Sequence, residues 1–599
     1  MLQNQDFSYL YTEEERARFD WCRREQGSWN YRPLISIVVP VYKTPARLLN
    51  EMIGSVVRQS YPQWELCIAN ASPEDGKLCE ALAAWQREDG RIHVQELAEN
   101  GGISANTNAC FAMVQGEYTA MLDHDDMLTE NALAEVVWLL QKQPETDFLY
   151  SDQDMLEEDS SKRFNPLYKP QWSKDCMYSG NYITHFSVLR TSLIQKIGGW
   201  DPSTDGAQDW DLFLKAAEHT DQIVGIPRIL YHWRMASTST ASSMATKTYA
   251  LEAQLRAIRG HLHRAGEPQA DVEFYSQDIF KIQVKWNRTH DGDISVIFLD
   301  EDESGDLATQ IAMVRVMLQL REREIVVVSR SRQRLDSLKG KEALVGAHCR
   351  GLCVAFANWA EGYQAGAEEI GCTQAVITGT DMDAADEATD EEVNRVSETK
   401  GEILLFLTDG LTALRRKSLL ELADWAVYDQ VAIAAPKYEE ENRVIREMGL
   451  AMTTDGPVSM FAGCFTDGTT DCGKNYWYRD VTAVDDHCFA IRRELFEQVG
   501  GFFPEEKAVL GEKLTSEEKP VPGAERMLDF CLRLRALGYR HMVSPYAPVH
   551  LDTTGRKMMM CDQFRTHVSE NAWKAFCEKH GIGEQDPYYR VCFSPANRV

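Results

Sequence analysis

"HFSVLRTSLIQKIGGW" (His185 to Trp200) lies without a gap on "HCFAIRRELFEQVGGF" (His487 to Phe502), and this internal repeat constrains the fold more than any other feature. "DLFLK" (Asp211 to Lys215) matches "DFCLR" (Asp529 to Arg533), and each is followed 21 positions later by a histidine, His232 or His550. "GEYTAMLDHDD" (Gly116 to Asp126) likewise matches "GEILLFLTDGL" (Gly401 to Leu411). A repeat this long is a duplicated domain, not a solenoid unit, and 599 residues are too many for one core. The expected division is a leader over 1–30, a domain over 31–265, a linker over 266–290, a second domain over 291–560 and a tail over 561–599.

Within the first copy, apolar runs alternate with helical periodicity. "PLISIVVPVY" (Pro33 to Tyr42) has the length and β-branching of a fully buried strand. Thr44 and Pro45 then stand as N-cap and first helical residue. "WELCIAN" and "RIHVQEL" predict two further strands, Ile103 to Gln115 a helix closed by Gly116, and "EYTAML" a fourth strand. "DISVIFLD" (Asp293 to Asp300) restarts the pattern. Alternation of this kind predicts an α/β class with a mostly parallel sheet flanked by helices, twice over. Ligands of such sheets bind beyond the carboxyl ends of the strands.

That is where Asp123, Asp125 and Asp126 fall. Adjacent ionised carboxylates repel unless a cation compensates them, and hard oxygen ligands suit Mg²⁺ or Mn²⁺. An exposed acidic turn would explain the triplet equally, but would need no buried strand behind it. In "GAQDWDLFLKA" (Gly206 to Ala216) two acids open an amphipathic helix; capping accounts for Asp211, whereas Asp209 could accept a proton from a hydroxyl. His232, in "LYHWR", is by default a core histidine and, beside an acidic loop, a candidate Mn²⁺ ligand.

Composition excludes several classes. A net charge of −29 argues against nucleic-acid binding. The acidic run from Thr380 to Glu392 reads as solvated loop. No apolar run spans a bilayer and the first residues are not a signal peptide, so the expectation is cytoplasmic, with peripheral contact at the inner membrane face left open. The fifteen cysteines form no CxxC pair; Cys349 and Cys353 have metal-like spacing without partners, and reduced thiols are expected. No P-loop, dinucleotide fingerprint or Ser/His/Asp set is present.

"LISIVVPVYKTP", "SVVRQSYPQWELCIA", "NGGISANTN", "GEYTAMLDHDD", "YSDQD", "RFNPLYKPQW", "NYITHFSVLR", "GGWDPSTDGAQDWDL" and "LYHWR" occur in this order. Together they resemble the family 2 glycosyltransferases of bacterial surface-polysaccharide assembly over Pro33 to about Ala250, and "DPYYRV" (Asp586 to Val591) resembles the ends of two-domain members. The resemblance implies a GT-A fold, a divalent metal, a nucleotide-diphosphate sugar donor, a glycan or lipid-linked acceptor and inversion at the anomeric carbon. By position it implies that Pro40 and Tyr42 line the base pocket. Asn70 stands where many members carry an aspartate, in "IANAS" rather than "DDGS". Asn100 and Gly102 fall beside ribose and diphosphate, and Asp123 contacts the nucleotide and shares the metal. Asp125 and His232 are the implied metal ligands, Asp209 the catalytic base, and Trp200 and Asp152 the acceptor border, although plain core packing explains Trp200 as readily.

The second copy departs from the pattern. Asp123, Asp125 and Asp126 become Thr408, Gly410 and Leu411, and Met527 holds the place of Asp209. A degenerate transferase domain is the expectation. A two-site polymerase, a sugar nucleotidyltransferase and a non-catalytic glycan-binding protein are the alternatives.

Overall fold

The computed structural model describes residues 7–235, 248–288 except 279, 294–301, 305–318, 325–345, 349–353, 359–369, 401–502 except 413, 429 and 471, 523–551, 559–583 and 586–589. The acidic run at 380–392 and most of the insertion "EKLTSEEKPVPG" lie outside them. The chain divides into two compact units: residues 1–172, 177–287 and 469–473 form one, and 173–176, 288–468 and 474–599 the other.

In the first unit the leader contains helix α1 (Glu13–Glu25), opened by a reciprocal capping box between Thr12 and Glu15. It is part of the domain: Arg18 pairs through two nitrogens with the buried Glu135, at 2.6 and 2.8 Å. Strand β1 (Ile35–Val41) is buried throughout and is followed by α2 (Ala46–Val57). The cap of α2 is Pro45, one residue later than the Thr44–Pro45 pattern suggests. Then come β2 (Trp64–Asn70), α3 (Gly76–Glu88), β3 (Ile92–Glu96), α4 (Ile103–Phe111) and β4 (Tyr118–Met121). Helix α4 stops short of the predicted Gln115, and Gly116 serves β1 instead. A Cβ there would lie 2.5 Å from Ser36 Oγ and 2.6 Å from the Leu34 carbonyl, so only glycine allows the approach.

The remaining elements are β5 (Met127–Leu128), α5 (Ala132–Lys142), β6 (Phe148–Glu157), β7 (Arg163–Leu167), β8 (Ser187–Arg190), α6 (Thr191–Ile197), α7 (Gln208–Ala217), β9 (Ile223–Met235) and α8 (Thr248–Arg264). The sheet runs β3-β2-β1-β4-β8-β6-β9-β5, with β7 beside β6. β3, β2, β1 and β4 are parallel, β8 is antiparallel to both its neighbours, and β6 and β9 are parallel to each other. Residues of the predicted linker form a small antiparallel hairpin, Asp271–Phe274 with Ile282–Lys285.

The second unit repeats this order strand for strand. Ile294–Asp300 takes the place of β1, Ile325–Ser329 of β2 and Cys349–Cys353 of β3. Ile403–Thr408 takes the place of β4, Cys488–Arg492 of β8, Val431–Glu439 of β6 and Arg540–Leu551 of β9. The tail holds helices Met560–His567 and Glu570–His580, and Trp573 Nε1 donates to the Thr453 carbonyl at 3.2 Å within the same unit. The fold is thus the twofold GT-A-like α/β arrangement.

Candidate active site

Strand β4 ends at Met121, and the chain turns through Asp123–Asp126 before β5 pairs with β9. Asp126 is 1 % exposed, held by the Tyr231 hydroxyl (2.5 Å) and by the backbone N–H of Arg234 (2.7 Å). Burial, then the charges of Asp125 and Asp123, raise its carboxyl well above the usual range. Arg234 Nε donates to the Asp125 carbonyl at 2.6 Å, so the loop is pinned from β9. Asp123 is different. Its side chain is 49 % exposed, yet burial of its inner side, then the charge of Asp125, raise its carboxyl to about 6, an effect that solvent on its outer side partly screens.

The partner that meets these acids is His185, which the sequence reading did not single out. It sits just before β8, its ring stacked on Tyr231 with centroids 4.7 Å apart. His185 Nε2 lies 3.8 Å from Asp123 Oδ2. Ligand atoms of Asp123, Asp126 and His185 fall within 4.8 Å of one another; Asp125 stands outside that trio, while its charge acts on all three. Burial lowers the imidazole to about 4, against the raising influence of Asp209 and Asp125. Its neutral form, the one that can ligate, therefore prevails at neutral pH. Two carboxylates and one imidazole fit a divalent ion such as Mn²⁺ or Mg²⁺ in donor chemistry. The signal in the sequence was the gapless repeat itself, which begins at this histidine in both copies.

Asp209 opens the first turn of α7 and faces the same place. Asn181 Nδ2 donates to its Oδ2 at 2.9 Å, and the Trp210 N–H to its Oδ1 at 2.8 Å. Burial raises its carboxyl, His185 opposes this and Asp123 adds to it. A buried carboxyl of raised pKa, turned toward the acidic loop, suits a proton acceptor. Asp211, in the same first turn, instead pairs with Lys215 at 2.6 Å.

His232 lies elsewhere. It is fully buried on β9, its Nδ1 2.6 Å from Asp154 Oδ1 and its Nε2 3.2 Å from the Tyr11 hydroxyl. Both ring nitrogens are occupied, so the metal role implied for it has no atom to perform it. In the second unit His550 Nε2 stands 3.9 Å from Glu439 Oε1 across the corresponding strands, a looser approach than the 2.6 Å pair of His232 and Asp154.

The other implied positions separate similarly. Pro40 is buried in β1, and Tyr42 is 39 % exposed just past its end. Asn70 is fully buried; its oxygen accepts from the Ser72 N–H (3.0 Å) and its amide donates to Glu96 (2.7 Å), which takes up both polar ends inside the protein. Asn100 accepts from Gly102 N–H at 3.1 Å and from Asn106 at 2.8 Å. Gly102, at φ +94°, has no room for a Cβ, which would meet Asp205 Oδ2 at 2.4 Å. Asp205 Oδ1 in turn accepts from the Ser104 N–H at the start of α4 (3.1 Å), a second carboxylate the sequence reading passed over. Trp200 and Asp152 are both buried, at 3 % and 1 %. Trp200 packs edge-on against Phe111 and is clasped by Asn108 at 2.7 and 3.0 Å; Asp152 accepts from the Lys169 N–H at 2.9 Å. Neither presents a surface that an acceptor could touch.

Residues 36–198, the span that builds this site apart from α7 and β9, match the family profile described as Glycosyl transferase family 2. The chain carries a family 2 glycosyl transferase domain. It is 27 % identical over 598 residues to the O-antigen biosynthesis protein RfbC of Myxococcus xanthus, covering 98 % of this chain and 42 % of that protein. It is 28 % identical over 524 residues to the uncharacterized protein y4gI of Sinorhizobium fredii, covering 86 % and 53 % respectively. Hyaluronan synthase of Pasteurella multocida shares 26 % identity over 194 residues, 32 % of this chain and 20 % of that one. The chain thus spans about half the length of the first two relatives. Among the described residues no helix is long and apolar enough to cross a membrane.

Proposed function

We propose that the family 2 domain transfers a sugar from a nucleotide-diphosphate donor to a hydroxyl of a glycan or lipid-linked oligosaccharide, with inversion, in surface-polysaccharide synthesis. The observation that carries this is the convergence of Asp123, Asp126 and His185 beside Asp209, in a domain of this family. Asp209 takes the proton from the acceptor hydroxyl as its oxygen attacks the anomeric carbon from the face opposite the leaving group, so no glycosyl-enzyme forms. Asn181 fixes the orientation of that carboxylate, and its raised pKa strengthens it as a base at neutral pH. Asp123, Asp126 and His185, with Asp125 behind them, would hold the divalent cation, and Tyr42 would lie against the nucleotide base. When bound, Mn²⁺ or Mg²⁺ supplies positive charge that offsets the negative charge of the diphosphate. Tyr231 and Arg234 keep the loop rigid, so Asp123 meets its partners without rearrangement. The name of the Myxococcus relative supports an O-antigen type of product. A cytoplasmic location at the membrane's inner face belongs to the same reading.

The test is to incubate the full chain with a panel of nucleotide-diphosphate sugars and either Mn²⁺ or Mg²⁺, following nucleoside diphosphate release and donor-induced thermal stabilisation. One donor should give both signals only with metal present, and the anomeric configuration of the product should be opposite to that of the donor. Pyrophosphate release would instead indicate a nucleotidyltransferase, and stabilisation by glycans alone a binding protein.

A further inference from the structure

Asp209 and His185 come from different elements, yet one short chain of hydrogen bonds joins the groups that hold them. Asn181 Nδ2 donates to Asp209 Oδ2 at 2.9 Å, and Asn181 Oδ1 accepts from the Thr184 N–H at 3.3 Å. The Thr184 hydroxyl donates in turn to Gln153 Oε1 at 2.6 Å, and the His185 N–H reaches the same oxygen at 3.3 Å. A backbone N–H can only donate, so it is the amide oxygen of Gln153 that faces this turn. Gln153 is 4 % exposed on β6, in register with Tyr231 of β9, the residue whose ring stacks on His185. The backbone of His185 is thus held from one strand and its ring from the next. Thr184 sits at φ +36°, a left-handed conformation that a β-branched residue adopts only under constraint. On the other side of the turn the buried Lys169 Nζ donates to the carbonyls of Ile183 and His185.

The copy that carries Met527 in place of Asp209 has other side chains at these positions. Leu149 faces Val188 as Ala434 faces Ala490, and the repeat equates Val188 with Ala490, so Tyr438 holds the place of Gln153. Carried back from His185 and His487, the repeat sets Asp486 and Ala483 where Thr184 and Asn181 stand. Tyr438 donates through its hydroxyl to the Cys488 carbonyl at 3.4 Å instead. The histidine is kept, while the three side chains that link it to the base are gone together with the base.

We propose that Gln153, acting through Thr184, is a positioning residue that fixes Asp209 and His185 relative to each other, so that proton acceptor and cation site are set by one buried amide. The inference rests on the transfer reading above and extends it to a residue that touches neither substrate nor metal. A group held through two or three hydrogen bonds on a rigid strand loses little freedom when substrate arrives, which is how supporting partners contribute to a metal site or a base.

The test compares the full-length wild type with Gln153→Met, Thr184→Val and Thr184→Ser. Mn²⁺ is titrated and free ion counted by electron paramagnetic resonance, with Asp123→Asn as the blank for other sites; nucleoside diphosphate release is then measured at saturating Mn²⁺. Gln153→Met and Thr184→Val should each weaken Mn²⁺ binding and lower release about ten-fold, the loss typical of a partner behind a metal ligand. Thr184→Ser keeps the hydroxyl and should recover most of both. Added to Asp209→Asn, Thr184→Val should lower the residual release by much less, because the base it positions is already gone. Should Gln153→Met fail to fold, the isosteric Thr184→Val decides alone. Mn²⁺ affinity and release unchanged in Thr184→Val, or a loss of full size in the Asp209→Asn chain, would overturn the inference while the wild type's activity upholds the transfer reading. A wild type that neither binds Mn²⁺ at this loop nor releases nucleoside diphosphate would overturn both.

Discussion

The two units share one strand order and differ at the carboxyl ends of the same strands. In the first, Val41 is in register with Asn70, and the chain past β1 exposes Tyr42. In the second, Asp300 and Ser329 hold those places; Arg334 clamps Asp300 through two nitrogens at 2.7 and 2.8 Å, and Ser329 Oγ donates to it at 2.8 Å. The strand end that the proposed reading gives to the nucleotide in one copy is closed by the Arg334–Asp300 ion pair in the other. The helix that follows the repeat diverges in the same direction. Asp211 pairs with Lys215, and Asp529 with Arg533 at 2.7 Å, so the structural acid is kept. Two residues earlier Asp209 becomes Met527, which is fully buried. What was retained is what the fold needs, and what was lost is what the proposed chemistry needs.

The largest effect that could break this contrast is on turnover. Asp209→Asn should lower donor turnover about 10³-fold, the scale of a positioned general base, with circular dichroism unchanged. Met527→Asp in the second unit should bring no new activity and should cost stability, about 3 kcal/mol, by burying an unpaired charge. Next, His185→Ala should weaken Mn²⁺ binding at the first unit's loop about 100-fold in a titration, at least the loss typical of a residue supporting a metal site. His232→Asn should leave that affinity within about two-fold, because the ring binds Tyr11 and Asp154 instead. It should lower the unfolding free energy by about 2 kcal/mol, the cost of stranding its buried partners.

A smaller effect sharpens the role of Asp209 through pH. The base works only when ionised, and burial raises its pKa, so turnover should rise with pH through an inflection above the ordinary aspartate range. In Asp209→Asn the residual rate should lack that limb. An acid limb near the unperturbed aspartate value would mean that Asp209 is solvated in the working enzyme.

The duplication, the parallel strands β1 to β4 and the acids at the end of β4 were legible because buried strands impose unbroken apolar runs and because gapless repeats survive divergence. The placement of Asp209 on the first turn of a helix was legible for the same reason. His185 was not, since its approach to Asp123 depends on β8 running antiparallel between β4 and β6, a pairing that no local pattern encodes. His232 misled because an acid–histidine pair formed across β6 and β9 looks, along the chain, like any histidine near an acidic loop. Trp200 and Asp152 were drawn to the acceptor side by position alone, whereas packing against Phe111 and the bond from the Lys169 backbone decide where they sit. Asp205 was hidden for a related reason, because its link to the start of α4 spans about a hundred residues of chain.

If Asp209 is the base, sugar transfer belongs to the first unit alone. The most direct test is nucleoside diphosphate release from the best donor in the panel, measured side by side for the wild type, Asp209→Asn and the volume-conserving Met527→Leu. Release should be all but abolished in the first variant and unchanged in the second. Full release by Asp209→Asn, or its loss in Met527→Leu with the fold intact, would contradict it.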